Sequence, residues 1–472
     1  MSAITKALRI RQVPASAASA RGTAASDGQS APAAAPAANG IDNLSIVQVV
    51  AKVRRIMYLW LTLNVYLNMI ILVINCGSSS IKYQLLDMKS DDVYDLLAKG
   101  IVEKIGLSEG MLTHRPTGKD KVVRELPIPD HKVGMQLVLD ELVHPVSGVL
   151  KSFDDIEAVG HRIVQGADYF SGSAIVNEDV MEKIRICCDF APLHNPAHIL
   201  GIRAMQQVLP SVPQVVVFDT AFHQTMPPYN YMYGLPYRYY KDYHIRKYGA
   251  HGTSHQFVAK RGAQLAGIDL ENSKIITCHL GNGSSITAVQ DGRCLDTSMG
   301  FTPLAGPIMG TRCGNIDPNI VPYVMKKEGL SPDQMTDLMN KKSGFLGLSG
   351  YSSDVRDLNV KAEDGDPRAK LVFKVFTHEI IKIVGSYIAE MSGVDLIVFT
   401  AGIGENNARL RRRVCENFAF LGLAFDYETN AGAHSDAIIS LPESKIKVAV
   451  VNTNEELVIA RDTMHLVQEA EE

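Results

Sequence analysis

Five short apolar runs, each closed by glycine or small polar residues, constrain this chain more than any other feature. They are Ile70-Ile-Leu-Val-Ile74, Val215-Val-Val-Phe218, Ile275-Ile-Thr277, Leu396-Ile-Val-Phe399 and Val448-Ala-Val-Val451. A continuous apolar run without alternation is the pattern of a strand buried on both faces. Between the runs lie helical patterns, such as Ala369 to Met391, with apolar residues at three and four spacings. Strands alternating with helices predict an α/β fold. In such sheets ligands gather beyond the carboxyl ends of the strands, so the loops after these runs are where chemistry is expected.

The 472 residues suggest two or three domains, and 46% hydrophobic with 21% charged residues is ordinary for a chain that buries a sizeable core. A net charge of -4 lacks the basic excess of a nucleic-acid binder. The seven cysteines are scattered apart from Cys187-Cys188, and none has zinc spacing, which fits a reducing compartment. Residues 1–40 hold 14 alanines and no acid before Asp27. That composition cannot bury enough apolar surface to order itself, and reads as a tail or as an organellar transit peptide. Ile56 to Ile74 is uncharged over 19 residues, long enough to raise a membrane span. Asn64, Asn68 and the need for Ile70–Ile74 as a strand argue against one. The expectation is that residues 1–68 lie outside the catalytic fold, which starts near Met69, and do not span a membrane, with a signal anchor as the alternative reading. The expected location is cytoplasmic, or an organelle matrix if the leader is a transit peptide.

Three loops after strands are rich in small residues. Asn75-Cys-Gly-Ser-Ser-Ser-Ile-Lys82 offers hydroxyls, backbone N–H groups and a lysine to phosphate oxygens, although it is not the GxxxxGK[ST] loop. His279-Leu-Gly-Asn-Gly-Ser-Ser285 and Thr400-Ala-Gly-Ile-Gly-Glu-Asn406 repeat the plan. Each alone could be a plain turn whose glycines serve only backbone freedom; three together point to phosphate. Arg162 follows Gly160-His161, and Arg312 sits in Met309-Gly-Thr-Arg-Cys-Gly314, a setting for a fork aimed at a carboxylate or phosphate. Asp219 ends one strand and Glu455 follows another, as ligands or as turn and helix caps. His251 and His255 have the spacing of a metal pair on a helix, but no acid adjoins them and Gly252 weakens a helix there. An imidazole donating to a phosphoryl group is the expected use. His194, in Pro192-Leu-His-Asn-Pro196, reads equally as structural or functional.

In this order the motifs resemble the acetate kinase (acetokinase) family of the sugar kinase, heat-shock and actin superfamily. The resemblance runs from about Met69 to Ala460. It includes Gly160-His-Arg162, Ala191-Pro-Leu-His-Asn-Pro196, Phe218-Asp-Thr-Ala-Phe-His223, His251-Gly-Thr-Ser-His255, Ser352-Ser-Asp-Val-Arg356 and Thr453-Asn-Glu-Glu456. It implies two actin-like (ribonuclease H-like) lobes around a nucleotide cleft: residues 69–219 completed by 455–472, and residues 220–454. It implies a homodimer and reversible phosphate transfer between ATP/ADP and acetate/acetyl phosphate with Mg²⁺ (or Mn²⁺). Asp219, Arg312 and His251 carry over as catalytic, with Arg162, Val164, Leu193, Pro303 and His194 around the acetate. Ser78, Ser80, Lys82, His279, Asn282, Gly283, Asp354, Arg356, Gly402, Ile403, Gly404 and Asn406 carry over to phosphate and nucleotide, and Asn75 with Glu455 to the metal.

The chain departs from the family's pattern at Ala250, Gln165, Ala305 and His198, where phenylalanine, histidine, glutamate and asparagine are usual. Ala250 predicts a wider methyl pocket and use of propionate as well, with a short-chain acid kinase preferring propionate as the alternative. Two rival readings are a sugar-hydroxyl kinase with Asp219 as base and a non-enzymatic actin-like ATP-binding module.

Overall fold

The structure, a computed structural model, describes residues 68–471 except residue 193. The expectations for residues 1–67 and for Leu193 therefore lie outside the described residues.

All five apolar runs are strands. β1 (Met69–Cys76) is central in the first sheet, antiparallel to β2 (Ser80–Met88) and parallel to β6 (Ala158–Ile163). Sandwiched in this way, Ile71, Leu72, Val73 and Ile74 are all buried, as a run without alternation requires. β3 (Tyr94–Glu103), β4 (Met111–Pro116) and β5 (Val122–Glu125) extend one edge; β8 (Gln214–Phe218) and β7 (Ala174–Ile175) complete the other. The order is β5-β4-β3-β2-β1-β6-β8-β7. The second sheet, of β9 (Lys274–Leu280), β10 (Ser284–Gln290), β11 (Arg293–Thr297), β12 (Leu396–Thr400), β13 (Ala437–Ile438) and β14 (Lys447–Val450), runs β11-β10-β9-β12-β14-β13.

Each sheet thus has the same heart: a three-stranded antiparallel meander whose first strand pairs in parallel with a later strand, which in turn pairs in parallel with another. This is the doubled actin-like α/β plan expected from the sequence. Helices cover the faces. α1 (His131–Leu142) and α2 (Asn195–Val208) bury Met135, Val138, Leu139 and Met205 with Leu72, Ile74 and Ile81 of the first sheet. The terminal helix α7 (Glu455–Glu471) packs Leu457, Ile459 and Met464 on the opposite face of that sheet, against Ile71 and Val73. α3 (Gly252–Ala266) and α5 (Pro367–Glu390) sandwich the second sheet, α3 through Val258 and Ala263 and α5 through Phe376, Ile380 and Val384.

Two local expectations change. A helix does begin at Gly252, because its amide donates to the Asp219 carbonyl at 2.8 Å and a Cβ there would stand 2.2 Å from that oxygen. Glycine is required by a close approach, and the helix follows from it. The loop after β12 is no loop: residues Ala401–Asn406 form a short helix, α6, directly after the strand. Among the described residues no helix is long and apolar enough to cross a membrane. Met69–Ile74, the end of the uncharged stretch, lies in β1.

Candidate functional site

Parallel strands present their carboxyl ends together, and β6 and β8 do so with Arg162 and Asp219. The two form a two-pronged pair, Arg162 Nε and Nη2 donating to Asp219 Oδ1 and Oδ2 at 3.0 and 2.7 Å. Glu455, the first residue of α7, approaches the same guanidinium, Oε2 to Nη2 at 3.5 Å. Burial pushes the Glu455 carboxyl up, opposed by Arg162 and reinforced by Asp219. Arg162 itself is shielded from solvent but held charged by these acids. Its Nη1 has no hydrogen-bond partner among the described residues. Asn75 lies in register opposite the exposed Lys82 on the β1–β2 hairpin, whose tight turn is closed by Gly77 N to Ser80 O at 2.7 Å. Ser78 is exposed at its tip, and His131 Nε2 bonds the Gly77 carbonyl at 2.8 Å from α1.

On the other side stands a wall of histidines. His251 occupies the left-handed region, φ 59°, just before α3, and its ring stacks on His279 with centroids 4.1 Å apart. His251 Nδ1 meets Ser285 Oγ at 2.8 Å. His279 Nδ1 meets Ser254 Oγ at 2.8 Å, which in turn meets Thr453 Oγ1 at 2.7 Å. Burial, helped by neighbouring cationic and imidazole groups, drives His251 well below its usual pKa. Burial takes His279 down to about 3. Both rings are neutral at pH 7.

Arg312 is a half-buried cation of the site. Its Nη1 donates to the Pro303 carbonyl at 3.0 Å, and no carboxylate pairs with it among the described residues. A Cβ built on Gly283 would sit 3.5 Å from both Arg312 Nη1 and His251 Cε1, so the three meet at one point. The arginine loop is pinned from several sides, with Gly310 N donating to Asn282 O at 3.1 Å and Cys313 N to Met339 O at 2.9 Å. His194, at the start of α2, is lowered by burial and then by Arg312 and Arg162, which places it among the same charges. Val164 is half-buried just beyond β6.

The nucleotide-type residues gather around a cavity of about 590 Å³ lined by Gly281, Asn282, Asp354, Arg356, Gly402 and Asn406, with Ile403 on its wall. Asp354 caps the helix α4 (Val355–Glu363), accepting from Arg356 N at 2.7 Å while pairing with the Arg356 guanidinium at 2.6 Å. Those bonds hold its carboxyl down at about 2. Gly404 lies buried in α6 and faces β9 and β12, not the cavity.

Two residues of this region escaped sequence reading. Glu405 Oε1 accepts from Ala401 N at 2.8 Å, and its Oε2 accepts from Asn452 Nδ2 at 2.7 Å, tying α6 to the segment before Glu455. Its place inside the glycine motif was the available signal. Arg411 sits in the charge run Arg409 to Arg413, which reads as a solvated face. It is nonetheless 0% exposed, and donates to five oxygens, including the Gly404 and Glu405 carbonyls at 2.8 and 2.7 Å. The cation thus finishes the carboxyl end of α6, where helix carbonyls lack partners. Nothing local in the sequence distinguishes it from its neighbours.

Ala250 is 3% exposed and packs with Met299 and Met309. Methionine takes space beside it, so the small side chain does not by itself open a wider pocket.

A family model described as the acetokinase family matches residues 70–461. The chain is 54% identical over 397 residues to the acetate kinase of Carboxydothermus hydrogenoformans, covering 84% of this chain and 99% of that one. It is 51% identical to that of Clostridioides difficile, covering 84% and 100%. Among solved structures, Porphyromonas gingivalis acetate kinase aligns with a TM-score of 0.81 at 44% identity, over 84% of this chain and all of that one. A propionate kinase from Francisella tularensis aligns at 0.78 and 43%, over 84% and 99%. With this match across nearly the whole described fold, the chain belongs to the acetokinase family.

Proposed function

We propose that the protein is an acetate kinase, transferring the γ-phosphoryl group of ATP reversibly and directly to acetate. The observation that carries the reading is Arg312, a guanidinium without a carboxylate partner, poised beside neutral His251 between the acid cluster and the open cavity. Acetate, with a pKa near ~4, is already ionised at pH 7. It needs no general base to attack phosphorus. The obstacle is one anion approaching another, and positioned cations and N–H donors lower that barrier. Arg312 and a His251 N–H supply them at the transferring group. In this reading Arg162 orients Asp219 and Glu455 and offers Nη1 to the acid's carboxylate, with Val164, Leu193, Pro303 and His194 around the acyl group.

Mg²⁺ is held by one or two carboxylates plus the phosphates of its nucleotide. Asp219 and Glu455, with Asn75 nearby, suit that requirement, and no cluster of three acidic, histidine or cysteine ligands occurs among the described residues. When bound, the ion neutralises phosphate oxygens. The hairpin residues Ser78, Ser80 and Lys82 face phosphate in this reading, as do His279 and Gly283. Asn282, Asp354, Arg356, Gly402, Ile403 and Asn406 serve the nucleoside, while Gly404, turned toward β9 and β12, packs α6 onto the sheet. The lobes divide at Asp219, residues 69–219 completed by 455–472 against residues 220–454. A homodimer is supported by the exposed aromatic and aliphatic side chains of Tyr229, Leu235, Tyr237 and Tyr243. The location proposed is the cytoplasm.

The test is to supply ATP, Mg²⁺ and acetate and trap acyl phosphate with hydroxylamine. Acetate-dependent hydroxamate is expected. Phosphorylation of a sugar instead, or ATP binding with no acyl phosphate, sinks the reading. Running propionate and butyrate in parallel decides chain length; the methionine packing at Ala250 favours acetate.

A further inference from the structure

The His251 ring is the first member of a hydrogen-bonded chain that runs away from the cleft. Ser285 Oγ lies 2.8 Å from His251 Nδ1 and 2.7 Å from His255 Nε2. His255 Nδ1 lies 2.7 Å from Thr277 Oγ1, and that hydroxyl is 3.5 Å from the Thr287 carbonyl. His255, Ser285, Thr277 and Thr287 are each 0% exposed, so no water can substitute for a missing partner. Burial keeps both imidazoles neutral, each with one ring proton.

A serine hydroxyl has one proton, so it donates to one histidine and accepts from the other. Only two registers satisfy the chain. In the first, Thr277 donates to His255 Nδ1, His255 Nε2–H donates to Ser285, and Ser285 donates to His251 Nδ1. His251 then carries its proton on Nε2, facing the cleft. In the second, every bond reverses: His251 Nδ1–H donates to Ser285, and a bare Nε2 lone pair faces the cleft. That register also obliges Thr277 to donate to Thr287 O across 3.5 Å, at the limit of a hydrogen bond. An anion in the cleft further favours the first, since only Nε2–H can donate to it.

We propose that Thr277, His255 and Ser285 form a relay that fixes His251 as its Nε2–H tautomer, making Ser285 and His255 positioning residues for the donor at the transferring phosphoryl group. The inference rests on the functional reading above but concerns a state of the ring that can be read without turnover. It also gives the His-x₃-His spacing a use other than metal: the two rings share one serine.

The experiment is ¹⁵N NMR of full-length protein labelled at histidine, with His251 assigned by the signal lost in His251→Gln. The wild type, with ADP and Mg²⁺ bound, is expected to show the Nε2–H form. Ser285→Ala, which cuts the chain, is expected to shift His251 toward Nδ1–H or a mixture. It should also lower kcat by roughly 10- to 100-fold, by analogy with the loss of a group that orients a metal-binding histidine, with KM for acetate and ATP changed less than about threefold. Ser285→Thr, which keeps the hydroxyl, should restore the tautomer and most of the rate. Thr277→Val gives a second, milder break if Ser285→Ala does not fold. A wild-type His251 carrying its proton on Nδ1 overturns the relay, as does an Nε2–H signal unchanged in both broken variants. A tautomer that moves in a protein making no acyl phosphate supports the relay and refutes the functional reading instead.

Discussion

The two halves of the site are built to opposite specifications. Behind His251 the side chains of Ser285, His255 and Thr277 are tied together by hydrogen bonds, and the His279 ring lies 4.1 Å from that of His251 and 6.1 Å from that of His255. Around the 590 Å³ cavity the lining residues Asn282, Arg356, Gly402 and Asn406 are exposed, and Gly402 has nothing within 4 Å of a would-be Cβ. Charge developing in a transition state is best met by dipoles that need not reorganise. A nucleotide must enter and leave, and an open rim with locally anchored caps permits that. On the proposed reading, the contrast teaches where rigidity is placed: behind the reacting atoms, not around the exchanging ligand.

The strongest challenge to this contrast is Arg312→Ala. Turnover should fall on the order of 10³-fold, as for an arginine acting on a transferring phosphoryl group, while KM for ATP stays within about threefold; equal loss of both in steady-state kinetics would erase the distinction between the halves. Next comes one substitution made twice. Gly252→Ala drives a methyl against the Asp219 carbonyl at 2.2 Å, and should cost about 1–3 kcal/mol in denaturant unfolding, as overpacking does, together with most of the activity. Gly402→Ala should leave unfolding unchanged and alter only KM for ATP. Similar stability losses in both would show that the cavity rim is as tightly packed as the acid wall. Asp354→Ala removes the cap of α4 and the partner of Arg356; a few-fold rise in KM for ATP with kcat held is the expected result, and a fall in kcat alone would assign Asp354 to the chemistry.

The last effect is electrostatic and is felt only in acid. Buried histidines are held neutral: His198 is lowered to about 3 and His161 and His223 to about 4, in each case chiefly by burial. Below the ordinary value near 6.5 the unfolded chain takes up protons that the folded chain refuses. Stability should therefore decline as pH drops from about 6.5 toward 4, each such group adding at most ~1.4 kcal/mol per pH unit to the slope. His198 is the cleanest probe, because neither of its ring nitrogens has a partner among the described residues. Urea midpoints of His198→Asn measured across that range should show a shallower slope than wild type; an unchanged slope would mean that His198 is not buried neutral.

Much of the fold was legible because burial on both faces leaves a local mark. Ile70–Ile74 and Leu396–Phe399 could be assigned as strands, and their loops suspected, from runs that no surface element would carry. The set of site residues was legible as motifs. Their relations were not, since Arg162 meets Asp219 across 57 residues and Ser285 meets His251 across 34. Arg411 shows the limit most clearly: in a run of surface-type arginines, one alone finds the carbonyls that end α6.

What the sequence by itself determined is the alternation of buried strands and helices and the chemical inventory at the strand ends, because both depend on local pattern and residue type. Only the tertiary structure decided that Gly252 starts a helix instead of preventing one, that Arg162 is committed to Asp219, and that His251 and His255 share a serine. Each of those turns on a distance between segments that approach only when two sheets and their helices have packed.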